Sequence, residues 1–96
     1  MNLWNQDKYI KAWNYASIAH DSQQVPGIDV AYINHIGLVA MEVLTAIAYD
    51  RSITSPDLMV ACALLHDTIE DTECSFSDIE REFGIDIANG VMALSK

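Results

Sequence analysis

Residues Leu64 to Asp71 read LLHDTIED, and they close an apolar run that begins at Leu58. His66 and Asp67 stand side by side, and Glu70 and Asp71 follow one turn later. At roughly 100° per residue, one continuous helix sets Glu70 about 40° from His66 and Asp71 about 40° from Asp67, so all four share a face. A second imidazole, His35, opens an earlier apolar stretch, and two antiparallel helices would bring it to His66. Two imidazoles with a carboxylate suit a divalent transition metal: manganese, iron or zinc. Such an ion lowers the pKa of its water and makes hydroxide available near neutral pH. A neighbouring carboxylate can orient that water or shuttle its proton, the role open to Glu70 and Asp71. The spacing alone leaves a plainer reading open, because a His-Asp pair arises often by chance and carboxylates near a helix end are commonly just solvated.

The elements that must position these groups read as all helical. A first helix is predicted from about Asp7 to His20, with Ile10, Trp13, Ala16, Ile18 and Ala19 at helical spacing. The stretch from Asp21 to Ala31, with Pro26-Gly27 inside it, is a loop. A long helix follows from about Tyr32 to Tyr49. Ser55 then Pro56 marks a helix start, a hydroxyl cap followed by proline at the first helical position, and this helix is expected to run on into LLHDTIED. Ser77 with Glu80 has the capping-box pattern for the next helix. Gly84 ends that helix, and a last one begins near Ile85. His20 is read as structural, at the negative end of the first helix. Trp4 and Trp13 are read as packing residues, and Tyr32 is left open between packing and ligand contact.

Bulk properties narrow the partners. Fourteen acidic against five basic residues give a net charge of −9, which argues against DNA, RNA and anionic membranes. A phosphorylated small molecule stays compatible with this charge when a metal supplies the positive field. Two cysteines with no CxxC spacing make neither a disulfide scaffold nor a zinc ribbon, and Cys62 reads as a small core residue. No signal-peptide pattern opens the chain, and no apolar run reaches the ~18 residues of a membrane span. The expected setting is cytoplasmic.

Several segments, taken in order, are similar to one family. AHDSQ (19–23) resembles its AHxGQ, YINH (32–35) its YIxHP, and ACALLHDTIEDT (61–72) its AALLHDxxEDT; the stretch from Ile79 through Phe83-Gly84 to LSK resembles a segment ending in LTK. The chain is thereby identified as resembling the HD superfamily of metal-dependent phosphohydrolases, and within it the hydrolase domain of RelA/SpoT proteins and their small single-domain relatives. The resemblance implies an HD-domain helical bundle of about five helices. It implies a manganese site, with iron or zinc as alternatives, in which His35, His66 and Asp67 are ligands and Glu70 and Asp71 position and activate the attacking water. The implied reaction removes pyrophosphate from the 3′ position of (p)ppGpp, by attack of metal-bound hydroxide on a phosphoester.

The sequence departs from that pattern in places. Residues 1–96 are expected to form one HD-type domain corresponding to the N-terminal portion of the family's. The family's fourth ligand, an aspartate on a later helix, has no counterpart, since neither Asp78 nor Asp86 sits in the matching context. Gln24 and Val25 stand where the family usually has basic residues, and Ile36 replaces the proline after the first histidine. Only Lys8, Lys11, Arg51, Arg81 and Lys96 could meet phosphates. The alternative expectation is a truncated or degenerate, non-catalytic HD module that acts through protein binding or as a homo-oligomer, its exposed apolar surface covered by a partner.

Overall fold

Asn5 starts the first helix by accepting a hydrogen bond from the Lys8 amide at 3.0 Å, the side-chain cap that an N-terminal turn needs. From there the chain, in a computed structural model that describes residues 4–50 and 52–94, is built from helices. Arg51 and Lys96, two of the five cations named above, lie outside the described residues. The order is α1 (Gln6–Ala19), α2 (Ile33–Tyr49), α3 (Pro56–Leu65), the single turn α4 (Thr68–Asp71), α5 (Phe76–Phe83) and α6 (Ile85–Leu94). The all-α bundle thus has the five expected helices plus one short turn. No helix among the described residues is long and apolar enough to cross a membrane.

The centre of the bundle is α3. Its residues Val60 to Leu65 are all buried, and α1, α2 and α6 all pack against it. A helix enclosed on every side is apolar all round rather than amphipathic, which explains the unbroken apolar run from Val60 to Leu65. Small residues let the neighbours approach. Ala12 and Ala16 of α1 are fully buried. In α6, a side chain at Gly90 would collide with the Cys62 sulfur of α3, and at Gly37 of α2 it would meet the Trp13 ring at 3.1 Å. Cys62 and Trp13 are therefore packing residues, as expected.

Three local expectations are corrected. The α3 helix does not run on to Asp71: it stops at Leu65, and α4 starts afresh at Thr68. In an unbroken helix the carbonyls of Ala63 and Leu65 would accept from the amides four residues on. Here side chains take them instead, His66 Nδ1 lying 2.6 Å from the Ala63 oxygen and the Thr68 hydroxyl donating to that of Leu65 at 2.8 Å. The capping box is Ser75 with Asp78, not Ser77 with Glu80. Ile79 is buried and Phe76 and Phe83 pack partly buried beside it on the same face of α5, so the cap must lie before Phe76. Finally, the Ser55 side chain makes no cap bond, although Pro56 does open α3.

The loop between α1 and α2 folds back on itself. Val25 donates to the Val30 carbonyl at 2.8 Å and Tyr32 to that of Gln23 at 2.8 Å, with an isolated bridge joining Gln24 and Ala31. Gly27 turns the tip at φ 85°, a conformation glycine adopts without a Cβ penalty. This hairpin delivers Tyr32 and His35 to the broken end of α3.

Candidate metal centre

The break after Leu65 aims the two site residues. A carbonyl can only accept, so His66 Nδ1, facing Ala63, carries a hydrogen and leaves Nε2 directed to the centre. That Nε2 lies 2.9 Å from Asp67 Oδ2. His35, in the first turn of α2, brings its Nε2 to 4.0 Å from the same oxygen. The donor atoms of His35, His66 and Asp67 all lie within 4.8 Å of one another. Their side chains are 43%, 20% and 17% exposed, so the group opens to solvent on the His35 side.

These atoms fit a cation. A lone-pair nitrogen and a carboxylate oxygen face each other here, an arrangement that a shared cation relieves. With bonds of about 2.1 Å, adjacent donors around one ion lie about 3 Å apart and opposite donors about 4.2 Å, and the 2.9 and 4.0 Å separations of His66 and His35 from Asp67 Oδ2 are of that size. The donor set, two imidazoles and a carboxylate, is that of a transition-metal site.

Tyr32 completes the arrangement. Its hydroxyl donates to Asp67 Oδ2 at 2.6 Å, and its ring lies between those of His20 and His35, with centroids 4.8 and 5.3 Å away. Burial, then the bond to Asp67 and the charges of Asp67, Asp71 and Glu70, push its hydroxyl well above its ordinary value, so it stays a donor. The sequence left Tyr32 undecided; its position three residues before His35, on the same helical side, was the available signal.

Glu70 and Asp71 are carried to the same place by α4 and not by a continuous helix. They line a cavity of about 350 Å³ with Tyr32, the three candidate ligands and Leu94. A larger cavity, about 760 Å³, also reaches Asp71 and is bordered by Tyr15, Gln23, Cys74 and Asp78. Asp78 and Asp86 do not line the triad's cavity. His20 is not aimed at the carbonyl end of α1: it is buried, with Nδ1 bonded to Gln23. The described cations are placed elsewhere. Lys8 pairs with Asp57 at 3.7 Å, Arg81 pairs with Asp78 at 2.9 Å, and Lys11 sits over the Phe83 ring.

Comparison with known proteins bears on this geometry. A family model described as the HD domain matches residues 12–96. The chain is similar to the guanosine-3′,5′-bis(diphosphate) 3′-pyrophosphohydrolase MESH1 of Drosophila melanogaster, with 35% identity over 93 residues, 91% of this chain and 46% of that protein. It is similar to the protein of the same name from Xenopus tropicalis, with 36% identity over 83% of this chain and 42% of that one. Among solved structures it resembles a metazoan ortholog of SpoT described as hydrolyzing ppGpp and playing a role in starvation responses. That match has a TM-score of 0.71 and 30% identity, and covers 98% of this chain and 51% of the other. The chain spans about half the length of these relatives.

Proposed function

Because the chain belongs to the HD domain family, we propose that it is a metal-dependent phosphohydrolase acting on a phosphorylated nucleotide, of the guanosine-3′,5′-bis(diphosphate) 3′-pyrophosphohydrolase type. The observation that carries this reading is the convergence of His35, His66 and Asp67 within 4.8 Å, with Glu70 and Asp71 lining the same cavity. The likeness to pyrophosphohydrolases over most of the chain supports the choice of substrate class. We read the whole chain as one HD-type domain.

His35, His66 and Asp67 would hold the ion, which we take to be manganese; iron(II) and zinc suit the same donors. Once bound, such an ion supplies Lewis acidity and acidifies water. The chain's own residues do the rest. Tyr32 holds the Asp67 carboxylate in one orientation by its hydroxyl bond. Glu70 and Asp71 orient the attacking water and take its proton on a carboxylate oxygen. Water adds across the phosphoester bond, leaving a hydroxyl on the sugar and releasing pyrophosphate.

Elemental mass spectrometry of the purified chain beside a His66→Ala variant tests the metal site, and pyrophosphate release from ppGpp tests the reaction. Near-stoichiometric metal that disappears in the variant is expected. Glu70→Gln should lower kcat by about 10²-fold or more. Hydrolysis unchanged in Glu70→Gln would remove the water-handling role.

A further inference from the structure

Behind the candidate centre lies a buried imidazole that the proposed reaction does not use. His20 is 3% exposed. Its Nδ1 is 2.9 Å from Gln23 Oε1, while its Nε2 is buried with no hydrogen-bond partner among the described residues. The Gln23 amide nitrogen donates to the main-chain carbonyl of Asp71 at 2.9 Å. A carbonyl only accepts, so the NH₂ end of Gln23 must face Asp71 and its oxygen must face His20. That oxygen also only accepts, so in the neutral ring the hydrogen sits on His20 Nδ1. Burying an imidazole for one hydrogen bond is costly unless that bond is needed.

Gln23 is tied through its main chain as well. Its carbonyl accepts from the Tyr32 amide at 2.8 Å. Tyr32 reaches Asp67 Oδ2 through its hydroxyl at 2.6 Å, and the Asp71 amide donates to the Asp67 carbonyl at 2.9 Å. Gln23, Tyr32, Asp67 and Asp71 therefore close a ring of four hydrogen bonds between two chain segments, with His20 anchoring one corner. The turn it clasps, α4, has only four residues and cannot hold its shape by helix propagation alone.

We propose that His20 and Gln23 are positioning residues. Their hydrogen bonds clasp the loop before α2 to α4 and fix Asp71 against His35, His66 and Asp67. The catalytic consequence rests on the hydrolase reading; the clasp itself does not.

The test uses the whole 96-residue chain, ¹⁵N-labelled, with Gln23→Glu and Gln23→Ala. Gln23 is half-buried, so both variants spare the core. Gln23→Glu keeps an acceptor for His20 but sets an acceptor against the Asp71 carbonyl; Gln23→Ala removes both bonds. Imidazole ¹⁵N shifts above neutral pH should show His20 with its hydrogen on Nδ1 in the wild type and in Gln23→Glu, and should lose that preference in Gln23→Ala. Amide exchange at Asp71 and Thr72 should quicken about tenfold in both variants. With metal bound, kcat for pyrophosphate release should fall about tenfold in both while KM stays within about twofold. A wild-type ring with its hydrogen on Nε2, or exchange at Asp71 and Thr72 unchanged in both variants, overturns the clasp. Quickened exchange with unchanged kcat overturns the positioning of Asp71 for catalysis. A wild type that binds metal and releases no pyrophosphate overturns the hydrolase reading, and the ring shifts and exchange rates still decide the clasp.

Discussion

Asp67 Oδ2 is the atom on which the site turns, because His66 Nε2, His35 Nε2 and the Tyr32 hydroxyl all approach it. Of the three, Tyr32 is the one that no metal needs as a ligand. Its contribution is to fix the carboxylate and to share its negative charge, the role that outer groups play around metal sites. Tyr32→Phe keeps the ring between His20 and His35 and deletes only the donor. Manganese affinity, measured by calorimetric titration, should fall about 10- to 100-fold, the usual effect of losing such a partner. An affinity within twofold of wild type would show that Asp67 is oriented by its backbone alone.

Among the elements, α3 decides how closely the others approach, and α6 packs against it at Gly90, where there is no room for a side chain beside Cys62. Gly90→Ala sets two effects against each other. Helix propensity gains up to about 1 kcal/mol, while forcing a methyl onto a buried sulfur costs about 1–3 kcal/mol. Net destabilisation is expected in urea unfolding, with part of it recovered when Cys62→Ala is added. At the other end of the bundle, α5 depends on its capping box. The Asp78 carboxyl is held below its ordinary value of 3.8, chiefly by the Ser75 amide and then by Arg81. A folded pKa below the unfolded one means that this contribution is complete above 3.8 and is lost as pH falls through the lower folded value. Asp78→Asn should therefore flatten the acid limb of a stability–pH curve below about pH 4 and lower the plateau above it.

For the molecule as a whole, metal binding and stability are linked, since the three candidate ligands come from α2 and from the junction after α3, elements that meet only in the folded state. At a hundredfold excess over Kd, manganese should add about 2.7 kcal/mol and raise Tm by on the order of 10 °C. Differential scanning calorimetry of the wild type and His66→Ala reads this directly, and an equal shift in both would place the bound ion elsewhere. With a net charge of −9, a phosphate met through a bound cation is favoured over one met by the protein surface alone.

The amino-acid sequence by itself determined the helical class and the bounds of α1 and α2 to within a residue, and it singled out His35, His66, Asp67, Glu70 and Asp71, which the structure brings to one cavity. These are local facts: apolar periodicity, proline and glycine placement, and residue types in a fixed order. Only the tertiary structure decided that α3 breaks at His66, because side chains that compete for main-chain carbonyls leave no periodic trace. The capping box was ambiguous for a related reason. Ser75–Asp78 and Ser77–Glu80 both fit the pattern, and the burial of Phe76 and Ile79 against the bundle selects the first. Tyr32 on Asp67 and Gln23 on Asp71 span 35 and 48 residues of chain. Hydrogen bonds at that separation exist only once packing has brought the α1–α2 loop to the end of α3, and no spacing rule along the chain encodes them.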